Sequence, residues 1–502
     1  MPEYLRALIV ILTLAFCTCL FFKPAFISAV PIDDFNRRRK LWFFLTTLVF
    51  LSHSFWLCIV ASGIALHVFT KNDRNKVAAY FFLLFAIPPI GALIPGFGIV
   101  NVLFSIDYLR LLTLVLLLPV LLHRSRIPDN LPLPSSAADL CVLGYIGLYT
   151  VLIGLGTSIS DLARNVFNMF VDIFLPYYAA SRVLSTPERF RDAIGSFVIA
   201  AALMAPVALF EMTRAWMLYA PLGSVLGVPW AFFSYMVRAG GLRAASSAGH
   251  PLVLAYAMVV ALGFLFYIQH FIEKKLLRNL LWVLLLFGLI APISRGPWMG
   301  GVVVLLLFLV TGQYSSKQVI GWLVALVGVT VSIGMSPYGD KVTALLPFVG
   351  HVDEFNVSYR QQLIENSITL LKSSPLFGVP NAMATSEMQS MRQGEGIIDI
   401  VNTYVAIGLG SGVTGLSLFL GVFLSVGVGI FKAIRQTRRA HPELHLLGRV
   451  LFAILCSVLF MIATLSSIMT VPIIYWMLAG MGVAYLALVR RTLADPASSK
   501  IA

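Results

Sequence analysis

Charge is what this sequence has least of. Only 12% of its 502 residues are Asp, Glu, Lys or Arg, against roughly 25% in an average soluble domain. Acids are scarcer than bases, 22 against 36. With 59% hydrophobic residues, this shortage excludes a soluble enzyme or a soluble binding module. Cysteine is sparse as well. All five (Cys17, Cys19, Cys58, Cys141, Cys456) lie in apolar runs, so neither a disulfide framework nor a cysteine-based zinc site is suggested. No histidine pair has zinc-ligand spacing, and no Walker, Rossmann or serine-nucleophile motif occurs. The acidic pairs Asp33-Asp34 and Asp353-Glu354 have nothing beside them that would make a metal site. We therefore expect no metal and no cofactor.

What the sequence has is long apolar runs, at about 5–22, 41–69, 77–94, 109–122, 137–156, 166–184, 194–212, 252–272, 280–293, 297–310, 319–335, 401–431, 450–469 and 471–489. A bilayer core of roughly 30 Å needs about 20 apolar residues per crossing. The expected fold class is an all-α polytopic membrane protein with about 12–14 transmembrane helices. The first run has Arg6 before it and Lys23 after it, without a convincing small-x-small cleavage site, and reads as a retained span.

The net charge of +14 does not point to nucleic acid, because the basic clusters sit in short loops. Counting back from Arg490-Arg491 in a cytoplasmic tail, the positive-inside rule puts 432–449, 311–318, 273–279, 185–193, 123–136 (with Arg124 and Arg126) and 71–76 inside. Arg37-Arg38-Arg39-Lys40 falls outside on this count, against the rule. Two longer polar segments fall outside: 213–251, and the large loop 336–400. Within that loop, Leu363, Ile364, Ile368, Leu370 and Leu371 have near-helical spacing. They predict an amphipathic helix over 359–373 against the membrane face, stopped by Ser373-Ser374-Pro375.

Four groups of residues on the outer side could carry chemistry. Ser294-Arg295-Gly296 places an arginine between two apolar runs, where a charge costs roughly 2.5–3.5 kcal/mol at mid-span. A snorkelling arginine is the bland alternative. Orientation does not require this charge, however, and its small neighbours leave room for an anion that guanidinium can hold bidentately. Arg243 stands seven residues before His250 in a stretch of small residues ending Gly249-His250-Pro251. It reads as a helix start or as a polar pocket with a phosphate-binding arginine and a proton-transferring histidine. Tyr359-Arg360 opens the amphipathic helix. Arg392-Gln393-Gly394-Glu395 then leads to Asp399, Asn402 and Tyr404, which either cap a span or line the site.

Together these segments resemble the O-antigen ligase and O-antigen polymerase superfamily of bacterial inner-membrane proteins. The resemblance is clearest over about 240–425. It rests on Ser294-Arg295-Gly296, then a large external loop with Arg360, Pro-Leu-Phe-Gly (Pro375 to Gly378), and Asn-x-Tyr (Asn402 to Tyr404) leading into a glycine-rich span. Arg243 with Gly-His-Pro is most similar to the exopolysaccharide polymerases of that group. The resemblance implies a C-type glycosyltransferase, inverting and metal-independent. Its donor would be an undecaprenyl-pyrophosphate-linked glycan at the periplasmic face and its acceptor another glycan. Membrane lipid, a chain-length regulator and an export complex are the implied partners. The implied catalytic set is Arg295, Arg360, Asp399 and His250, with Arg243, Ser294, Gly296, Asn402, Tyr404 and Arg392 binding substrate. Ligases of the family carry a histidine where this chain has Val401, so Asp399, Glu395 or His250 would have to serve instead. That departure weakens a ligase reading more than a polymerase one.

The expected organisation is an N-terminal bundle (1–240), a core with the periplasmic loop (241–431), and C-terminal helices with a cytoplasmic tail (432–502). Ligase-type transfer to lipid A-core or protein is the alternative activity. A polysaccharide or lipid transporter is the alternative class. A transporter would be expected to show inverted repeats and mid-membrane charges, and neither is evident.

Overall fold

The computed structural model describes residues 1–96, 102–123, 132–229, 235–238, 240–312, 321, 354–379, 381–392 and 398–494. The chain is a helical bundle. Among the described residues seven helices are long and apolar enough to cross a membrane: Glu3–Phe21, Ala137–Gly154, Pro187–Arg214, Pro251–Phe271, Thr403–Thr437, Pro442–Ile462 and Thr470–Ala494. Phe55–Thr70, Tyr108–Leu122 and Arg295–Val310 are shorter apolar helices. The expected run at 319–335 lies outside the described residues. Pro187–Arg214, Pro251–Phe271 and Thr470–Ala494 are the most enclosed, each more than four-fifths buried. They are apolar on every face because every face meets another helix.

Several runs do not become single spans. The 41–69 run is two helices, Ile32–Leu51 and Phe55–Thr70, reversing at Ser52-His53-Ser54. His53 takes a left-handed backbone (φ 48°), and the Ser54 hydroxyl accepts the amide of Leu57 to start the second helix. The 77–94 run is helical only over Lys76–Leu83. Beyond it Pro88 and Pro89 end the helix, and Gly91–Pro95 pairs antiparallel with Val102–Asp107.

That extra reversal removes the conflict at Arg37–Lys40. With two helices and a reversal between residues 32 and 70, this cluster shares a side with 71–76 and 185–193. The contacts agree. Arg38 is 1% exposed; its Nε and Nη2 donate to Asp73 at 2.8 and 2.7 Å, and its Nη1 donates to Asp192 at 2.6 Å and Ser196 at 2.9 Å. A buried guanidinium needs such partners. Arg191 similarly donates to Glu443 at 2.9 Å, tying the 185–193 and 437–443 connections together on the same side. Glu3 accepts from the Trp216 indole at 2.9 Å on the opposite side. The Lys/Arg-rich loops thus gather at one face. Arg124 and Arg126 lie outside the described residues.

The amphipathic helix is present as Glu354–Ser373, but its packed stripe differs from the expected one. Tyr359, Leu363, Ser367 and Leu370 are buried, the apolar ones among Met388, Met391 and Leu409. Ile364 and Ile368 are 44% and 49% exposed. The true stripe follows i, i+4, i+8, i+11, and the phenol ring of Tyr359 counts as part of it.

The Pro-Leu-Phe-Gly segment and the glycine-rich helix interlock backbone to backbone. Val379 N donates to Leu409 O at 2.7 Å, and Val413 N to Pro375 O at 2.9 Å. Gly378 (φ 74°) and Gly412 (φ 64°) sit at the crossing, and a Cβ on Gly412 would stand 2.3 Å from Leu376 O. Gly412→Ala therefore meets backbone strain of about 1–2 kcal/mol and a collision that no side-chain rotation relieves. We expect a lower melting temperature and faster proteolysis between 354 and 392 than in the parent protein.

Candidate functional site

The site is built on the face opposite the basic loops, where four connections meet. The first is the short hairpin Val237–Arg238 with Gly241–Leu242, and the coil that follows it to His250. The second is Ala291–Ser294, between Lys275–Ile290 and Arg295–Val310. The third is Ile398–Asn402, ahead of the long helix at Thr403. The fourth is 463–469, between Pro442–Ile462 and Thr470–Ala494.

Arg243 joins the first two. Its Nε donates to Pro292 O at 3.1 Å and its Nη2 to the Ser294 hydroxyl at 3.0 Å. Arg238 reaches Ile293 O from the same hairpin, at 3.1 Å. Ile293, whose carbonyl accepts from Arg238, is held at φ 49°, a conformation unusual for a β-branched residue. Ser294 is the N-cap residue of the next helix, but its hydroxyl serves Arg243 and Pro292 O rather than the helix. Arg295 is the first residue of that helix, beside its partially positive amino end. None of the described partners of Arg243 is a carboxylate. Burial first, and then the Arg238 charge, lower its pKa to about 10; it remains a cation at neutral pH.

His250 stands at the start of Pro251–Ile268, and its Nδ1 accepts the amide of Leu252 at 3.1 Å. The neutral ring therefore carries its proton on Nε2 and is set up as a donor. Burial, and then Arg243, lower its pKa to about 4.

Gly296 lies against the fourth connection, where an added Cβ would be 3.0 Å from Thr464 Oγ1. Two residues on, Ser466 Oγ donates to Asp399 Oδ1 at 2.5 Å. The Asp399 backbone is held in turn by the Tyr359 hydroxyl, through N and O, each at 3.1 Å. Arg360, next to Tyr359, is exposed, with no hydrogen-bond partner among the described residues. A continuous series of contacts thus runs from Gly296 through Thr464, Ser466, Asp399 and Tyr359 to the residue before Arg360.

Three expected residues stand apart from this series. Asn402 Oδ1 accepts the amides of Tyr404 and Val405 at 2.9 and 3.2 Å, a helix cap. The Tyr404 hydroxyl donates to Leu459 O at 2.7 Å and fixes one helix to another. Arg392 is exposed and donates to Gln389 on its own turn at 2.8 Å. Gly394 and Glu395 lie outside the described residues, as does all of 336–353.

The structure adds residues that the sequence reading passed over. Glu211, fully buried near the end of Pro187–Arg214, accepts the amides of Leu218 (3.0 Å), Ala245 (3.0 Å) and Ser246 (2.8 Å). It fixes the coil carrying Arg243 and His250, including Ser246 at φ 48°. A lone acid at the end of an apolar run was a usable signal. Ser466 and Thr464 had only a weak one, the polar break between the last two runs.

Two comparisons bear on this site. No curated protein matched the chain in sequence. The family model described as O-antigen ligase matches residues 280–420, a segment that holds Ser294, Arg295, Gly296, Arg360, Arg392, Asp399, Asn402 and Tyr404 and leaves Arg243 and His250 just ahead of it. This match, in a chain with seven helices long and apolar enough to cross a membrane among the described residues, supports the O-antigen ligase and polymerase superfamily.

Proposed function

We propose that the protein polymerises oligosaccharide repeat units carried on undecaprenyl pyrophosphate, at the periplasmic face of the inner membrane. One observation carries this reading: Arg243 is a half-buried cation whose described partners are all neutral oxygens, one of them on Ser294, the residue before Arg295. Buried charges are normally paired, and the pair missing here is an anion with oxygens for a planar donor set. A lipid-linked diphosphate supplies it and explains why the site lies at a membrane boundary. The polyprenyl chain stays between helices while the head group reaches the connections. The basic loops on the other face support a periplasmic position for the site by the positive-inside rule.

In this mechanism an acceptor hydroxyl attacks the donor's anomeric carbon as the bond to the diphosphate oxygen breaks. Direct displacement inverts that carbon. The electron pair leaves on the diphosphate, whose growing charge Arg243 and Arg295 stabilise, with Arg360 reaching in from the loop helix. The acceptor proton passes to Asp399, whose Oδ1 is occupied by Ser466 and whose Oδ2 has no partner among the described residues. His250, arranged as a donor through Nε2, positions an oxygen rather than removing a proton. Val401 in place of the ligase histidine favours polymerisation over transfer to a foreign acceptor.

The deciding experiment is reconstitution of the full chain with an undecaprenyl-pyrophosphate-linked repeat unit. Products should form a ladder of repeat multiples. A single addition appearing only on a second acceptor would make the protein a ligase. No glycan transfer with any such donor would defeat the reading altogether.

The His250 environment gives a separate pH prediction. Its folded pKa of about 4 lies below the ordinary 6.5, so below pH 6.5 the unfolded chain takes up the proton first. Stability should then fall as pH drops from about 6.5 toward 4. His250→Asn, which keeps a helix-capping group, should lose that part of the slope in thermal melts across the same window.

A further inference from the structure

On the basic face, far from the site described above, a cavity of about 360 Å³ opens between the helices Ala137–Gly154, Thr403–Thr437 and Thr470–Ala494. Its polarity is graded along the membrane normal. Lys432, Gln436 and Arg490 line the end at the basic face, whereas Val426, Val483 and Leu486, with the Ser425 hydroxyl, line it toward the bundle interior. Two helices approaching the face together show the same order, apolar first and cationic last. No acidic residue lines the cavity. Among the described residues, the acids nearest in sequence are engaged elsewhere. Asp139 accepts from Arg182 at 2.9 and 2.8 Å and from Tyr177 at 2.7 Å, and Glu443 accepts from Arg191 and from Tyr267 at 2.7 Å. Lys432 and Arg490 have no hydrogen bond or ion pair among the described residues.

We propose that this cavity binds an anionic phospholipid of the cytoplasmic leaflet. Its phosphate sits between Lys432 and Arg490, and an acyl chain runs along Val426, Val483 and Leu486. Both cations alone would suit any phosphate ester. The apolar wall is what selects a lipid over a soluble ester. Juxtamembrane cations attract anionic headgroups in this way, each contributing about fivefold in affinity. On Thr403–Thr437 the cavity lies wholly beyond the break at Gly412, so the bound lipid would brace the C-terminal part of that helix.

The test is titration of detergent-purified, full-length protein with short-chain phosphatidylglycerol, phosphatidylcholine and sn-glycerol 3-phosphate, read by native mass spectrometry and thermal shift. Phosphatidylglycerol should bind best. Lys432→Ala and Arg490→Ala should each weaken it about fivefold, while Lys275→Ala, an exposed cation elsewhere on the same face, leaves it unchanged. Glycerol 3-phosphate should not compete at the lipid's concentration. Equal binding of the two lipids, or an equal loss in Lys275→Ala, overturns the proposal. Full competition by glycerol 3-phosphate would replace the lipid with a soluble phosphate ester and overturn it too. All three substitutions are at exposed positions, and the unliganded melting temperature checks that each variant is folded.

Discussion

Arg295→Ala is expected to cut glycan transfer about 10²–10³-fold, the range for removing one preorganised donor from a developing charge. The effect should fall on turnover more than on donor binding. In the proposed mechanism diphosphate charge grows as the glycosidic bond breaks, so the lost interaction is strongest in the transition state. Arg295→Lys is the informative companion. It keeps the charge at the start of the helix but not the planar pair of donors, and should recover only part of the loss. Arg243→Lys should behave differently, because Arg243 also ties the Ala291–Ser294 turn through Pro292 O and Ser294. A lysine cannot make both bonds from the same geometry, so thermal stability and rate should fall together. Both measurements use polymer yield in a strain lacking its own polymerase, checked against protein level in the membrane. Full-length polymer at normal yield from both Arg295 variants would remove Arg295 from the mechanism.

Most of the helical architecture was legible from apolar runs alone, because in lipid the backbone must bond within its own segment. Where the reading failed, a short polar interruption had been outweighed by its surroundings. Ser52-His53-Ser54 is three residues in a 29-residue run, yet it reverses the chain and changes the side of everything before it. The run's length was the overlooked clue, since it exceeds one crossing. Likewise Pro88-Pro89 ends a helix that hydropathy would extend to residue 94. The site was legible in part. Arg243, Ser294 and Gly296 stood out because polar or small residues between apolar runs are conspicuous, and the fold brings Arg243 and Ser294 into direct contact. Asn402 and Tyr404 stood out equally, but here their oxygen atoms hold helices. Sequence position cannot separate a capping amide from a substrate-facing one, because the difference lies in which atom the next turn presents. Ser466 was illegible for the opposite reason. Its importance comes from Asp399, 67 residues away, and no local pattern encodes that distance.

Glu211→Ala should be among the most damaging substitutions far from the transferred sugar. It strips the acceptor from three amides, those of Leu218, Ala245 and Ser246, in a place water does not reach. Each orphaned buried donor costs roughly 1–3 kcal/mol, enough together to remove much of a membrane protein's margin or to let the 243–250 coil reorganise. Glu211→Gln separates those outcomes. Its one oxygen can still accept from Ala245 and Ser246, while its NH₂ would face the Leu218 amide, donor against donor. The protein should fold with a lower melting temperature and keep partial activity. If Glu211 acts by placing Arg243, the Glu211→Gln and Arg243→Lys losses in rate should not add, because the second change finds the guanidinium already displaced or gone. If Glu211 only holds the bundle together, the two losses add and the donor KM stays at the parent value in Glu211→Gln. The coupling between them, measured as a double-mutant cycle on the reconstituted ladder assay, therefore reports whether a buried acid at the end of one span sets the position of the cation proposed to receive the departing diphosphate.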